Sequence, residues 1–156
     1  MKKTNAVRIL EQQKIHFDVL PYKVDENDLS AETVAQKVGM PVEMVFKTLV
    51  LQGDKTGEIV AIIPGNREVN LKSLSKLSGN KKVWMIPMKE IFPLTGYIRG
   101  GVSPIGMKKK FPTFVDESAL QHDQICISAG IRGIQVLMMP KDLIRLTFSK
   151  TGSISD

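Results

Sequence analysis

The chain has 156 residues, 42% of them apolar, with a formal net charge of +6 and a single cysteine. That length predicts one domain over residues 1–156 with one core; one cysteine excludes an internal disulfide framework and a cysteine-rich zinc site. No apolar run approaches the roughly 18 residues a membrane span needs, and MKKTNAVRILEQQ lacks the apolar centre of a signal peptide, so cytoplasmic residence is the expectation.

Along the chain, Thr4 to Gln13 sets Ala6, Val7, Ile9 and Leu10 among polar residues and reads as a short amphipathic helix. Phe17 and Val19 alternate with polar neighbours in His16–Tyr22, as in a half-buried strand. An acidic loop follows over Val24–Leu29. Ser30 then suits an N-cap, Glu32 a first turn, and Gly39 a helix end. Pro41 suits the start of another helix reaching about Phe46. Thr48–Leu51 and Glu58–Ile63 flank GDKTG as a hairpin, and Asn70 caps a helix over Leu71–Leu77 that Gly79 closes. Val83–Ile86 reads as a strand and Met88–Leu94 as a short helix.

Thr95–Lys110, TGYIRGGVSPIGMKKK, carries four glycines, an arginine and three consecutive lysines. Glycines leave the main chain free to approach a ligand, and the cations suit an anionic or carbonyl-bearing one. A hairpin loop with solvated lysines is the plainer alternative. Thr113–Val115, Ile125–Ser128 and Ile134–Met138 complete the strands, AGIRG turning between the last two. Lys141–Leu146 reads as a terminal helix and Ser149–Asp156 as a frayed tail. Helices and strands mix without regular βαβ alternation, which predicts α+β or a compact mixed barrel.

Little conventional catalytic chemistry is visible. His16 and His122 have no metal-ligand spacing, Cys126 in ICIS reads as a small buried hydrophobe, and no phosphate-binding G-K-[ST] loop or paired carboxylates stand out. No metal or cofactor is therefore expected. Lys47, in VEMVFKTLVL, sits where a helix pattern gives way to an apolar strand. Its ammonium either lies partly desolvated beside a partner or snorkels to water. Basic clusters at Lys72–Lys76, Lys81–Lys82 and Lys108–Lys110, with acid gathered near Asp25–Asp28, favour an acidic partner, nucleic acid above all.

Taken in order, VFKTLV at 45–50, TGYIRGGVSPIGMKKKFPTFVD at 95–116 and SAGIRG at 128–133 resemble the bacterial YbaK/EbsC family, with support from KTNAVRIL and LPYKVDE. Those proteins are free-standing relatives of the editing domain of prolyl-tRNA synthetase. The resemblance, from about Lys3 to Leu146, implies a single α/β domain with a mixed, barrel-like sheet flanked by helices. It also implies a deacylase acting in trans on mischarged tRNA, chiefly Cys-tRNA(Pro) and also Cys-tRNA(Cys), with prolyl-tRNA synthetase as a potential associate.

By position, Lys47 matches the family's functional lysine and Tyr22 a tyrosine of the pocket. Gly100 to Pro104 matches the G-x-x-x-P loop that holds the tRNA 3′ end, so Gly100, Gly101, Ser103 and Pro104 are expected at the substrate. Ser128, Ala129 and Gly130 match the turn around the amino acid, and Lys108, Lys109 and Lys110 are expected on phosphates. In the family's cysteine-specific members the substrate's own thiol attacks the ester, which fits a chain without an evident nucleophile. Two positions depart from the cysteine-specific pattern: Ala129 replaces a glycine, and Gln135 stands where an aspartate is usual. They leave open an Ala-tRNA(Pro)-type deacylase using water, or a non-catalytic tRNA-binding module.

Overall fold

A computed structural model describes residues 3–156, so the first two residues of the expected 1–156 domain lie outside the described ones. The chain runs α1 (Asn5–Gln12), β1 (Phe17–Pro21), α2 (Ala31–Val38), β2 (Phe46–Gly53), β3 (Gly57–Pro64), α3 (Leu71–Ser78), β4 (Val83–Met85), α4 (Ile91–Thr95), β5 (Thr113–Asp116), β6 (Ile125–Ser128), β7 (Ile134–Met138), α5 (Pro140–Thr147) and β8 (Lys150–Gly152). Local chemistry sets the helix ends. Thr4, Ser30 and Asn70 each accept a hydrogen bond from the N–H three residues on, and Gly39 and Gly79 close α2 and α3 in the left-handed conformation. Among the described residues no helix is long and apolar enough to cross a membrane.

The strands form two sheets. One is antiparallel in the order β1-β7-β6; the other is mixed, β4-β2-β3-β5-β8, with β3/β5 and β5/β8 parallel. Strand alternation sends side chains to opposite faces, which sorts them into three cores. Val60 and Ile62 of β3, Ile125 and Ile127 of β6, and Val136 and Met138 of β7 meet between the sheets, joined by Ala6, Val7 and Leu10 of α1 and Leu143 of α5. On the far side of the five-stranded sheet, Leu51, Ile59, Ala61 and Ile63 pack with Leu74 of α3 and with Ile154. On the far side of the three-stranded sheet, Cys126 and Leu137 pack with Val34 and Ala35 of α2. A fully buried aliphatic side chain in such a core contributes about 1.5–3 kcal/mol.

The mixed α/β fold class holds, but the sheet is two pieces and not a closed barrel. They touch through a parallel bridge between Val45 and Cys126. The Val45 N–H donates to the Val42 carbonyl at 3.0 Å and its carbonyl accepts from the Gly65 N–H at 2.8 Å. The helix expected from Pro41 is only a 3₁₀ turn over Val42–Met44, because the chain is already extended at Val45. Lys47 accordingly lies inside β2, not before it.

The tail is the clearest correction. Residues Ser149–Asp156, expected to fray, add β8 to the sheet edge and bury Ile154 completely. The Ile154 N–H donates to Asp116 Oδ1 at 3.0 Å, and its carbonyl accepts from the Asn70 N–H at 2.7 Å. Those partners lie far away in sequence, where no local pattern announces them.

Candidate active site

β4 pairs only with Leu51–Gly53 of β2, so Lys47–Leu49 have no strand beside them on the side away from β3. The Val50 carbonyl accepts from the Ile86 N–H at 3.3 Å, which turns its main-chain groups toward that side. Strand alternation then points the N–H and carbonyl of Thr48 the same way, toward open space. A cavity of about 540 Å³ lies along this edge. Its walls are Leu29–Glu32 and Val34 around the start of α2, Met85, Ile86, Met88 and Ile91, then Arg99, Gly100 and Val102, and finally Glu68, Ser128 and Gln135.

Two glycines make the enclosure possible. A Cβ on Gly65 would stand 2.3 Å from Ala31 Cβ and 2.8 Å from the Val45 carbonyl, so only a glycine lets α2 seat against the end of β3. The Asp28 carboxyl steadies the same helix start; the Thr33 hydroxyl, then the Ser30 hydroxyl and N–H, hold it below the ordinary carboxylate value. Gly100 has φ +83, and the next residue, Gly101, lies so close to the Ile131–Arg132 main chain that a Cβ would fall 3.1 Å away. Arg132 Nε donates to the Arg99 carbonyl at 2.8 Å and clamps the loop at the cavity mouth.

Lys47, Gly100, Ser128 and Gln135 therefore line one cavity, bringing the lysine and the glycine-rich loop together across about fifty residues of sequence. Lys47 is half-buried, with Nζ 3.3 Å from the Gly65 carbonyl. Ser128 and Gln135 are register partners on β6 and β7. Gln135 is only 5% exposed, and among the described residues its Oε1 has no hydrogen-bond partner. A buried acceptor left unmet costs about 1–3 kcal/mol unless something else supplies the donor.

The remaining expected residues stand apart from that lining. Tyr22 packs beside the α2 core, its N–H bonded to the Gly133 carbonyl at 2.8 Å. Ser103 is fully buried and its hydroxyl accepts from the Ile105 N–H at 3.3 Å, while Pro104 borders a second cavity. Ala129 is buried, with its carbonyl taken by the Thr4 hydroxyl. Gly130, at φ +97, lies against the Tyr97 ring, where a Cβ would approach to 2.7 Å. Burial pushes that tyrosine up to about 12, and its hydroxyl donates to the Ile105 carbonyl at 2.7 Å. Lys108 reaches over the Phe92 ring, and Lys109 and Lys110 border the second cavity.

Ser30, Glu32, Thr48 and Glu68 of the lining were not expected at a site, whereas Arg99 belongs to the glycine-rich stretch already singled out. The two carboxylates come from α2 and from the turn after β3, so the fold and not sequence spacing unites them. Cys126 lies elsewhere, fully buried, its thiol pushed up from 9.0 to about 11 by burial. Mostly apolar walls with a few convergent polar groups suit a small polar moiety whose reacting bond is positioned by main-chain and side-chain donors.

Comparison with known proteins agrees with that chemistry. Residues 25–146 match the family described as the aminoacyl-tRNA editing domain. A protein of Enterococcus faecalis, named as a candidate Cys-tRNA(Pro)/Cys-tRNA(Cys) deacylase, EbsC, is 49% identical over 154 residues, covering 99% of this chain and 94% of its own. The proline–tRNA ligase of Thermosipho africanus is 31% identical over 83 residues, which are 53% of this chain and 15% of that enzyme. A crystal structure described as a candidate trans-editing enzyme for prolyl-tRNA synthetase superimposes with a TM-score of 0.85 at 26% identity, covering 100% of this chain and 99% of that one.

Proposed function

Because this chain belongs to the aminoacyl-tRNA editing domain family, we propose that it is a free-standing deacylase clearing cysteine from mischarged tRNA(Pro). The observation that carries the reading is the meeting of Lys47 with Gly100 across one cavity whose described lining contains neither histidine nor cysteine. Such a site is short of nucleophiles and well supplied with groups that hold an ester.

In this reading the substrate's thiol sulfur attacks its own ester carbonyl. The new C–S bond closes a thiolactone, the C–O bond to the terminal ribose breaks, and the thiol proton passes to the departing ribose oxygen. Lys47 faces the carbonyl oxygen or a neighbouring phosphate, and the Gly100–Gly101 main chain faces the terminal adenosine. The unmet Gln135 Oε1 accepts from the substrate's ammonium. Holding sulfur and carbonyl in line converts a rare conformer into the bound one, which is where most of the acceleration originates. Tyr22, Ser103, Pro104, Ala129 and Gly130 act at one remove, by shaping the loops that carry the lining.

A second reading has its own observation. Glu32 and Glu68 both face the cavity, and a carboxylate there is able to take a proton from water attacking the ester of alanyl-tRNA(Pro). Incubation with cysteinyl- and alanyl-tRNA(Pro), with analysis of the released product, separates the two. Thiolactone from the cysteinyl substrate and little turnover of the alanyl one is the expected result. Free alanine and free cysteine would replace the first reading by the second, and tRNA binding without ester cleavage would overturn both.

A further inference from the structure

The second cavity, of about 830 Å³, is bordered by Pro104–Met107, Lys109–Thr113 and the end of α5. Among the described residues its lining holds Lys109, Lys110 and Arg145 and no carboxylate; Asp142, which pairs with Arg145 at 3.2 Å, lies outside it. Phe148 stands at the rim, 81% exposed, the most exposed of the described large hydrophobic side chains. Its main chain adopts φ +53, a conformation a phenylalanine rarely takes. The Leu143 carbonyl accepts from Thr147 Oγ1 at 2.8 Å and the Ile144 carbonyl from the Ser149 N–H at 3.1 Å, so the main chain on either side of Phe148 is held and directs the ring outward. Lys110 Nζ lies 5.8 Å from the centre of that ring.

An exposed aromatic face beside a cationic groove is the arrangement on which an unpaired base stacks while its phosphates are neutralised. We propose that this groove is a second RNA-binding site, taking unpaired or distorted nucleotides of the tRNA with a base against Phe148 and phosphates on Lys109, Lys110 and Arg145. It rests on tRNA being the substrate. One loop lines both cavities: Val102 borders the first and Pro104 the second, two residues apart and so at most about 7 Å along the chain. RNA held in the groove therefore braces the same loop that presents Gly100 to the ester. An acidic peptide has no base to stack on the ring; an anionic membrane would take the ring into its interface, and the vesicle arm of the test separates it.

The test measures binding of uncharged tRNA, by fluorescence anisotropy across a salt series, to the full chain and to Phe148→Ala, Phe148→Trp and Lys109→Ala/Lys110→Ala. Phe148→Ala is expected to weaken binding by about tenfold, and Phe148→Trp to restore it. The double lysine variant is expected to lower the slope of log affinity against log salt by about two. Unchanged affinity and slope in the variants would overturn the proposal. So would an equal loss of binding to a polyglutamate peptide or to phosphatidylserine vesicles when Phe148 is removed. Uncharged tRNA keeps this result apart from the deacylase reading. Wild-type ester cleavage with tRNA binding indifferent to Phe148 sinks the groove alone, and Phe148-dependent binding without cleavage sinks the deacylase alone.

Discussion

Lys47 is half-buried on β2 with its ammonium 3.3 Å from the Gly65 carbonyl, so its stem is packed while its charge faces the cavity. The sequence left two readings open, a partnered lysine or a snorkelling one, and the side chain combines them. Replacement by alanine is expected to lower single-turnover deacylation by about a hundredfold or more, the scale of losing one donor to a developing oxyanion. Near-ultraviolet circular dichroism should be unchanged, and full activity in the variant would remove Lys47 from the mechanism. Gly130 poses the opposite case, a residue matched by motif whose evident demand is conformational. It has φ +97, and a Cβ there would stand 2.7 Å from the Tyr97 ring. Gly130→Ala is therefore expected to cost about 2–3 kcal/mol in urea unfolding, combining strain with overpacking. A loss below about 0.5 kcal/mol would mean that the turn yields easily. Position in a motif pointed to both residues; only packing separates the one that faces the cavity from the one that supports it.

At the scale of elements, the ends of α2 and α3 were legible because capping is local: Ser30 and Asn70 each meet an N–H three residues away. Strand existence was legible from alternation and β-branched runs, as in Glu58–Ile63. Strand neighbours were not. Nothing near Lys150 indicates that it will lie beside Phe114, or near Glu32 that it will border the same cavity as Glu68. The glycine-rich segment was singled out as one ligand loop, whereas it divides between two cavities, Val102 bordering the first and Pro104 the second. Its position depends on Arg132, whose Nε holds the Arg99 carbonyl at 2.8 Å from the neighbouring turn. Arg132→Ala removes that clamp with little loss of core packing. The expected outcome is a fall of about tenfold in kcat/KM with the melting temperature within roughly 4 °C of wild type, since one hydrogen bond is worth about 1 kcal/mol. Equal activity in the variant would show that the loop holds its place without the arginine.

For the whole molecule, two buried acids lower stability on the alkaline side. Cys126, packed between the three-stranded sheet and α2, has its thiol pushed up from 9.0 to about 11 by burial. Tyr97, buried beneath the glycine-rich loop, is raised from 10.0 to about 12. Both shifts have one sign: the folded chain keeps protons that the unfolded chain releases. Below pH 9 both states hold them and stability is unaffected. As the pH rises from 9 toward 11 the unfolded state binds fewer protons than the native one, so the free energy of unfolding falls with each step in pH. Cysteine and tyrosine contribute over successive windows, which allows the first to be isolated by substitution. Cys126→Ala loses some packing at every pH and is expected to start below wild type at pH 7. The gap should then close between pH 9 and pH 11, because only the wild type carries a buried thiol whose unfolded form ionises. Urea midpoints at pH 7, 9, 10 and 11 for the two proteins measure this directly. A constant gap would mean that the thiol escapes the burial the fold gives it, and with it the close seating of α2 that forms one wall of the first cavity.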